Sequence, residues 1–231
     1  MAEFLLALLL FLTAHVVPPA PPVRRRLIAL LGRRGYLLGY SVLSLMLLAW
    51  IIVAARDAPY VTLWTFAPWQ PVVPVIATPL AFWFVTVGLA EPNPLSISLR
   101  HSDPAAPLAP IVKIARHPVL WGFLIWALAH LPPNGDLVSL VLFGGLAGLA
   151  LAAMPVLDRR ARVRLGKEDW QALAHGTSTI PFLNAISSKA RIGLSRRFGF
   201  YTAVAIVAYL WFLLQGHQLL IGPDPLRLLS W

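Results

Sequence analysis

Polar and apolar positions alternate along this chain on the scale of whole helices. Six apolar stretches stand out: Glu3–Val17, Tyr36–Ala55, Val72–Ala90, Pro118–Leu131, Leu137–Leu157 and Phe198–Ile221. Short segments rich in Pro and Arg separate them. A hydrocarbon core of ~30 Å needs about 20 helical residues, so these stretches read as membrane spans, with the first and fourth short. The pattern predicts an all-α, polytopic transmembrane helix bundle that is a single domain over residues 1–231.

Charge sharpens this into an orientation. Arg24, Arg25, Arg26, Arg33 and Arg34 follow the first span, Arg100, Lys113 and Arg116 follow the third, and a long basic segment follows the fifth. Of the 19 Lys and Arg residues, only Arg56 and Arg227 fall on the other side. The positive-inside rule then predicts cytoplasmic basic loops and both termini outside. The first span has no basic residues before it and no small-x-small site after it, so it is expected to be retained rather than cleaved as a signal peptide.

Composition agrees. The chain is 58% hydrophobic and 12% charged, with a mean hydropathy of +0.74, whereas soluble domains carry about 25% charged residues. The net charge of +10 belongs to the loops flanking the spans, so the expected partner is the lipid bilayer and not a nucleic acid. The chain has no Cys, which excludes disulfides, Fe–S clusters and thiolate-ligated zinc. No Gly-rich phosphate loop, Ser-His-Asp arrangement or HExxH motif is legible.

Within the spans, Tyr36, Tyr40 and Ser44 form a polar stripe at helical spacing, which should face other helices or a ligand rather than lipid. Gly144, Gly148 and Ala152 form a small-residue ridge suited to close helix packing. The segment 158–197 is too polar to span. Its Val163, Trp170 and Leu173 predict either a helix on the anionic membrane surface or a cover over a ligand pocket facing the cytoplasm.

The histidines carry the candidate chemistry, since ionisable groups within membrane helices are costly and mark functional sites. ARHPVLWGFLIWALAHLPPNGD, residues 115–136, holds His117 and His130 at the two ends of one apolar helix. At about 1.5 Å per residue, His15 lies roughly 18 Å below the outer face and His130 roughly 18 Å above the inner one. In a ~30 Å core their depths differ by about 6 Å, so the two imidazoles could share one metal, and a haem iron suits neutral imidazoles between apolar helices. The alternative is that each ring hydrogen-bonds a neighbouring carbonyl. His117 and Arg116 at the helix entry suit an anionic group, a haem propionate or the carboxylate of a small cofactor. His101 is expected to be solvated and His217 interfacial.

Several pieces in order along the chain, HVVPPAPPVRRRL, LGRRGYLLGYSVLSL, ARHPVLWGFLIWALAHLPPNGD, LFGG, TSTIPF and GHQLLIGPDPL, resemble the NnrU family of bacterial inner-membrane proteins. The resemblance implies a link to nitrite and nitric oxide metabolism in denitrification. It extends to plant zeta-carotene isomerase, which isomerises a polyene with haem b. Carried over by motif, that likeness makes His15 and His130 haem ligands. Arg116, His117, Tyr40 and Asn134 complete the expected cofactor-binding residues. Ala127 stands where that relative has a Cys, so no thiol is available for ligand exchange. A more distant similarity, through Arg116-His117-Pro118 and Gly122, runs to methyltransferases of the isoprenylcysteine carboxyl type. It implies S-adenosylmethionine, though Lys167-Glu168-Asp169 replaces the paired glutamates of those enzymes. The leading expectation is a haem b protein with an apolar or small-molecule substrate, with polyene isomerisation as one activity that the resemblance implies. A methyltransferase and a cofactor-free scaffold are the alternatives.

Overall fold

The computed structural model describes residues 1–101, 103, 105–187, 193 and 195–229. Among them the chain is helical, with a single isolated bridge, Thr62 to Asp136, and no β-sheet. It divides into two compact units, residues 1–65 with 135–142, and residues 66–134 with 143–231.

In the first unit, helix α1 (Ala2–Val16) buries Phe4, Ala7, Leu8 and Phe11, spaced as one helical face, and pairs with α2 (Pro21–Arg56). The Trp50 indole N–H donates to the Glu3 carboxylate (3.0 Å). The second helix begins well before the expected span start at Tyr36. Pro at its first positions presets helical φ, and the Arg- and Leu-rich sequence after it favours helix. The helix breaks at Gly32, whose φ of 68° and ψ of 165° place it where side chains are disfavoured. Past α2, the Leu63 and Trp64 N–H groups donate to Gly135 O, and Leu137 N–H donates to Val61 O. A Cβ on Gly135 would collide with Trp64 O, which accounts for the Asn-Gly turn.

The second unit is arranged around α3 (Val72–Ala90), against which α5 (Pro118–His130) and α9 (Arg196–Trp211) pack. The α3–α5 crossing is close. A Cβ on Gly88 would lie 2.9 Å from Pro118 Cγ, and one on Gly122 would lie 2.8 Å from Ala81 O. Polar ties fix α9: the Trp83 indole donates to Thr202 Oγ1 (3.0 Å) and the Tyr209 hydroxyl donates to Val75 O (2.7 Å). Short α4 (Pro110–Ile114) buries Ile111, Val112 and Ile114 with Phe84, Val87 and Phe198.

Helix α6 (Leu137–Leu165) runs past the expected boundary at Leu157. Its packing differs from expectation. A Cβ on Gly144 or Gly148 would meet nothing within 4 Å, so the small-residue ridge makes no close helix contact among the described residues. The face used instead carries Ala147, Ala150 and Met154, packed on Leu120, Leu124 and Ala127 of α5. The close approach by glycine belongs to Gly88 and Gly122. After α6 come α7 (Lys167–His175) and α8 (Leu183–Ser187). The last long helix loosens into a π turn over Phe212–Gly216 before α10 (His217–Leu220).

By length and composition α2, α3, α6 and the helical run Arg196–Leu220 can each cross a membrane, while α1 and α5 are apolar but shorter. All six predicted spans are therefore present as helices.

Candidate functional site

The entry to α5 is the most polar buried place in the second unit. Pro118 takes the first helical position, where its missing N–H costs nothing, and leaves Arg116 and His117 just outside the helix beside three other segments. The Arg116 N–H donates to Ser178 O (2.8 Å), and Asn93 Nδ2 donates to Arg116 O (3.0 Å). The Asn93 carbonyl oxygen in turn accepts from the Leu95 and Ser96 N–H groups, an Asx turn that shapes the loop after α3.

Each nitrogen of the Arg116 guanidinium donates within the fold. Nε reaches Thr177 Oγ1 at 2.8 Å, Nη1 reaches Asp158 Oδ2 at 2.7 Å, and Nη2 reaches Ala174 O at 3.3 Å. Its plane lies 5.5 Å from the Trp170 ring, and Arg162 lies 4.2 Å from the same ring. His117 is fully buried, with Nδ1 2.9 Å from Ser96 Oγ. Its Nε2 is 3.2 Å from Asp158 Oδ1, within ion-pair distance but without hydrogen-bond alignment, so both atoms lack a well-formed partner. The Trp121 indole donates to Thr179 O (2.7 Å) and Phe182 N–H donates to Ile114 O (2.8 Å). Residues 176–182 therefore fold back over the α5 entry. The described part of the 158–197 segment lies over the helix entry. The region beyond 187 lies largely outside the described residues.

Asp158 is the residue that sequence reasoning missed. It lies where an apolar run gives way to a basic one, at the start of the polar segment 158–197. The available signal is a lone carboxylate among arginines, directly after the apolar run that ends at Leu157. Nearby, Glu91 caps the end of α3 and is buried, with Oε1 unpartnered. Burial pushes its carboxyl above the usual range, against the opposing pull of Arg197 and Arg100.

The other candidates form two separate groups. In the first unit the His15 ring stacks on Phe11 (4.1 Å) and meets Tyr40 edge-on (5.9 Å), and Tyr40 stacks on Tyr36 (6.0 Å). The polar stripe therefore faces α1. In the second unit His130 closes α5 between Trp126 and Phe143, with ring centroids at 5.2 and 5.3 Å. Asn134 Nδ2 donates to His130 O (2.7 Å), which caps the helix end. Each histidine is held the same way, by Nδ1 on the carbonyl one turn back: His15 on Phe11 O at 2.8 Å, His130 on Trp126 O at 2.7 Å. A carbonyl only accepts, so Nδ1 carries the proton and Nε2 keeps its lone pair. That tautomer permits metal ligation through Nε2. Among the described residues no group of three or more His, Asp or Glu side chains could hold a metal ion unaided. His101 and His175 are exposed.

Apolar helices of this length, joined by short basic segments and packed through glycine and aromatic contacts, define a helical membrane protein. The chain belongs to the NnrU family: the family described as NnrU protein matches residues 3–225, nearly the whole chain. No curated protein and no solved structure matches it.

Proposed function

We propose that this NnrU-family chain is a haem b protein of the bacterial inner membrane, with its basic loops in the cytoplasm, in which His130 would hold the iron. The observation that carries the reading is the His130 tautomer: Nδ1–H is spent on Trp126 O, and Nε2 is left with a free lone pair in an aromatic, apolar setting. The donor set fits haem better than a free ion. The described residues offer imidazoles but no cluster of three ligands, and a porphyrin brings four nitrogens of its own. When bound, the haem would supply an iron able to pass an electron, take up nitric oxide or act on a polyene double bond. The protein's part is to hold the imidazole in one tautomer and to exclude water with Trp126 and Phe143. On this reading the protein would serve nitrite and nitric oxide metabolism or the isomerisation of an apolar polyene.

The methyltransferase reading finds less support. All three Arg116 nitrogens and Nδ1 of His117 are engaged inside the fold, and His117 is sealed from solvent. The cluster acts as a clasp rather than as a receptor for a cofactor carboxylate.

The test is an absorption spectrum and a pyridine haemochromogen assay on protein purified after expression with ample haem. Haem b at about one per chain is expected. Its absence from the wild type overturns the reading, and a His130→Ala variant with an unchanged spectrum overturns the ligand. His15 presents its Nε2 in the same tautomer, so His15→Ala belongs in the same series. Nitric oxide binding by the reduced protein and isomer analysis of an added carotenoid then separate the two activities.

A further inference from the structure

Helix α2 is longer than a bilayer needs. At about 1.5 Å per residue its 36 residues would run roughly 54 Å, whereas the part after Gly32 covers about 36 Å and by itself spans a ~30 Å core. That part pairs with α1: Glu3 reaches Trp50 and His15 meets Tyr40, so the two helices run antiparallel. Residues 21–31 are left over as an arm before the span.

Gly32 turns the arm out of line. Its φ of 68° and ψ of 165° belong to a region open in practice to glycine alone, and a Cβ there would meet nothing within 4 Å, so the backbone angle itself is the reason for glycine. One contact shows the size of the bend. Arg24 Cζ lies 5.7 Å from the centre of the Tyr36 ring. In an unbroken helix the two positions would stand about 18 Å apart, more than their side chains can bridge. The Tyr36 hydroxyl also donates to Pro18 O (3.4 Å), just before the arm begins. The arm therefore folds back beside the start of the span instead of prolonging it.

The arm is amphipathic. Val23, Leu27, Leu30 and Leu31 recur at helical spacing on one side, with Leu30 80% exposed, while Arg25, Arg26 and Ala29 take the other. Arg24, Arg25, Arg26, Arg33 and Arg34 are all exposed, and none forms an ion pair among the described residues. The carboxylates of this unit, Glu3, Asp57 and Asp136, belong to the far end of the span: Glu3 bonds Trp50, Asp57 closes α2 and Asp136 bridges to Thr62. Unpaired guanidinium groups beside exposed leucines, at one end of a span, match a surface where apolar groups can sink and phosphates can be met.

We propose that residues 21–34 bind the anionic phospholipids of the adjoining leaflet. The arm lies in the plane of the membrane, Leu30 and Leu31 enter the acyl boundary, and the five arginines hold headgroup phosphates. This binding surface is independent of the haem reading.

The chain has no Cys, so single cysteines introduced into the full protein can be spin-labelled one at a time. In bilayers of phosphatidylcholine and phosphatidylglycerol, labels on Val23→Cys, Leu27→Cys and Leu30→Cys are expected at one shallow depth by oxygen accessibility, and a label on Ala29→Cys in water. Labels on the first three that all lie in water, or at depths that change steadily along the arm, overturn the proposal. Headgroup preference is read by native mass spectrometry of the detergent-solubilised protein titrated with either lipid. The wild type is expected to retain phosphatidylglycerol over phosphatidylcholine. The triple variant Arg24→Gln, Arg25→Gln, Arg26→Gln is expected to weaken phosphatidylglycerol binding about tenfold or more, while the corresponding triple Lys variant keeps the preference and guards against a misfolded arm. Equal retention of both lipids by the wild type, an unchanged preference in the Gln variant, or its loss in the Lys variant overturns the proposal. So does release of phosphatidylglycerol by millimolar inorganic phosphate, which would make a soluble anion the ligand.

Discussion

The two ends of α5 carry the same residue type in opposite circumstances. At the entry, His117 is fully buried and faces a hydroxyl on one side and a carboxylate on the other, and its neighbour Arg116 is bonded through every nitrogen. At the exit, His130 spends one nitrogen on its own helix and presents the other among aromatic rings. Four segments converge on the entry and bring their polar groups with them: the loop after α3, the end of α6, the end of α7 and residues 176–182. The exit is bordered by apolar helix faces. A histidine enclosed between a hydroxyl and a carboxylate ties segments together, and one left with a lone pair in an apolar place is available for ligation.

The contrast predicts a ladder of effects. The largest belongs to the clasp. Asp158→Ala strands Arg116 and His117 without their carboxylate and should cost about 3 kcal/mol or more. Thermal unfolding in detergent measures it, and a loss near zero would mean that the entry is no more a structural site than the exit. Next comes the crossing between the two ends. Gly122→Val forces a side chain into Val85 and Ala81, and should cost about 1–3 kcal/mol by overpacking, read as a lowered Tm.

A smaller effect of opposite sign is expected at Glu91. Its carboxyl titrates higher in the folded protein than in the unfolded chain, so protonation favours the fold. That contribution is fully present below the unfolded pKa, close to the ordinary 4.5, and is lost as pH rises through the folded value. Glu91→Gln should therefore raise Tm at neutral pH and flatten its rise on mild acidification, and Tm measured from neutral pH downward checks both. The smallest stability change is expected at the exit itself. His130→Ala should cost the haem-free protein about 1 kcal/mol or less, well below Asp158→Ala, while altering the spectrum of the haem-loaded form. If His130→Ala destabilises as much as Asp158→Ala, the two ends are alike and the contrast is broken.

The legible parts of this protein were those that depend on local composition. Six apolar runs became six helices, with end shifts where helix propensity outran hydropathy. Helix α2 starts at Pro21 rather than Tyr36 because Arg and Leu favour helix whether or not they lie in lipid, and α6 runs on to Leu165 for the same reason. The histidines on α5 were found because an ionisable group in an apolar run is conspicuous. The small-residue ridge of α6 misled because spacing reveals a smooth face but not whether another helix is placed against it. Gly88 and Gly122 do that work between α3 and α5.

By itself, then, the sequence determined the helical membrane class, the family and the positions of its buried histidines. All three follow from hydropathy and motif, which act along the chain. Only the tertiary structure decided what each histidine is next to. Asp158 and Ser96 reach His117 from distant segments, and the tautomers of His130 and His217 depend on which carbonyl each ring meets. Hydrogen-bond partners at ~3 Å are chosen by helix crossing and register, and neither is written in the spacing of residues along one helix.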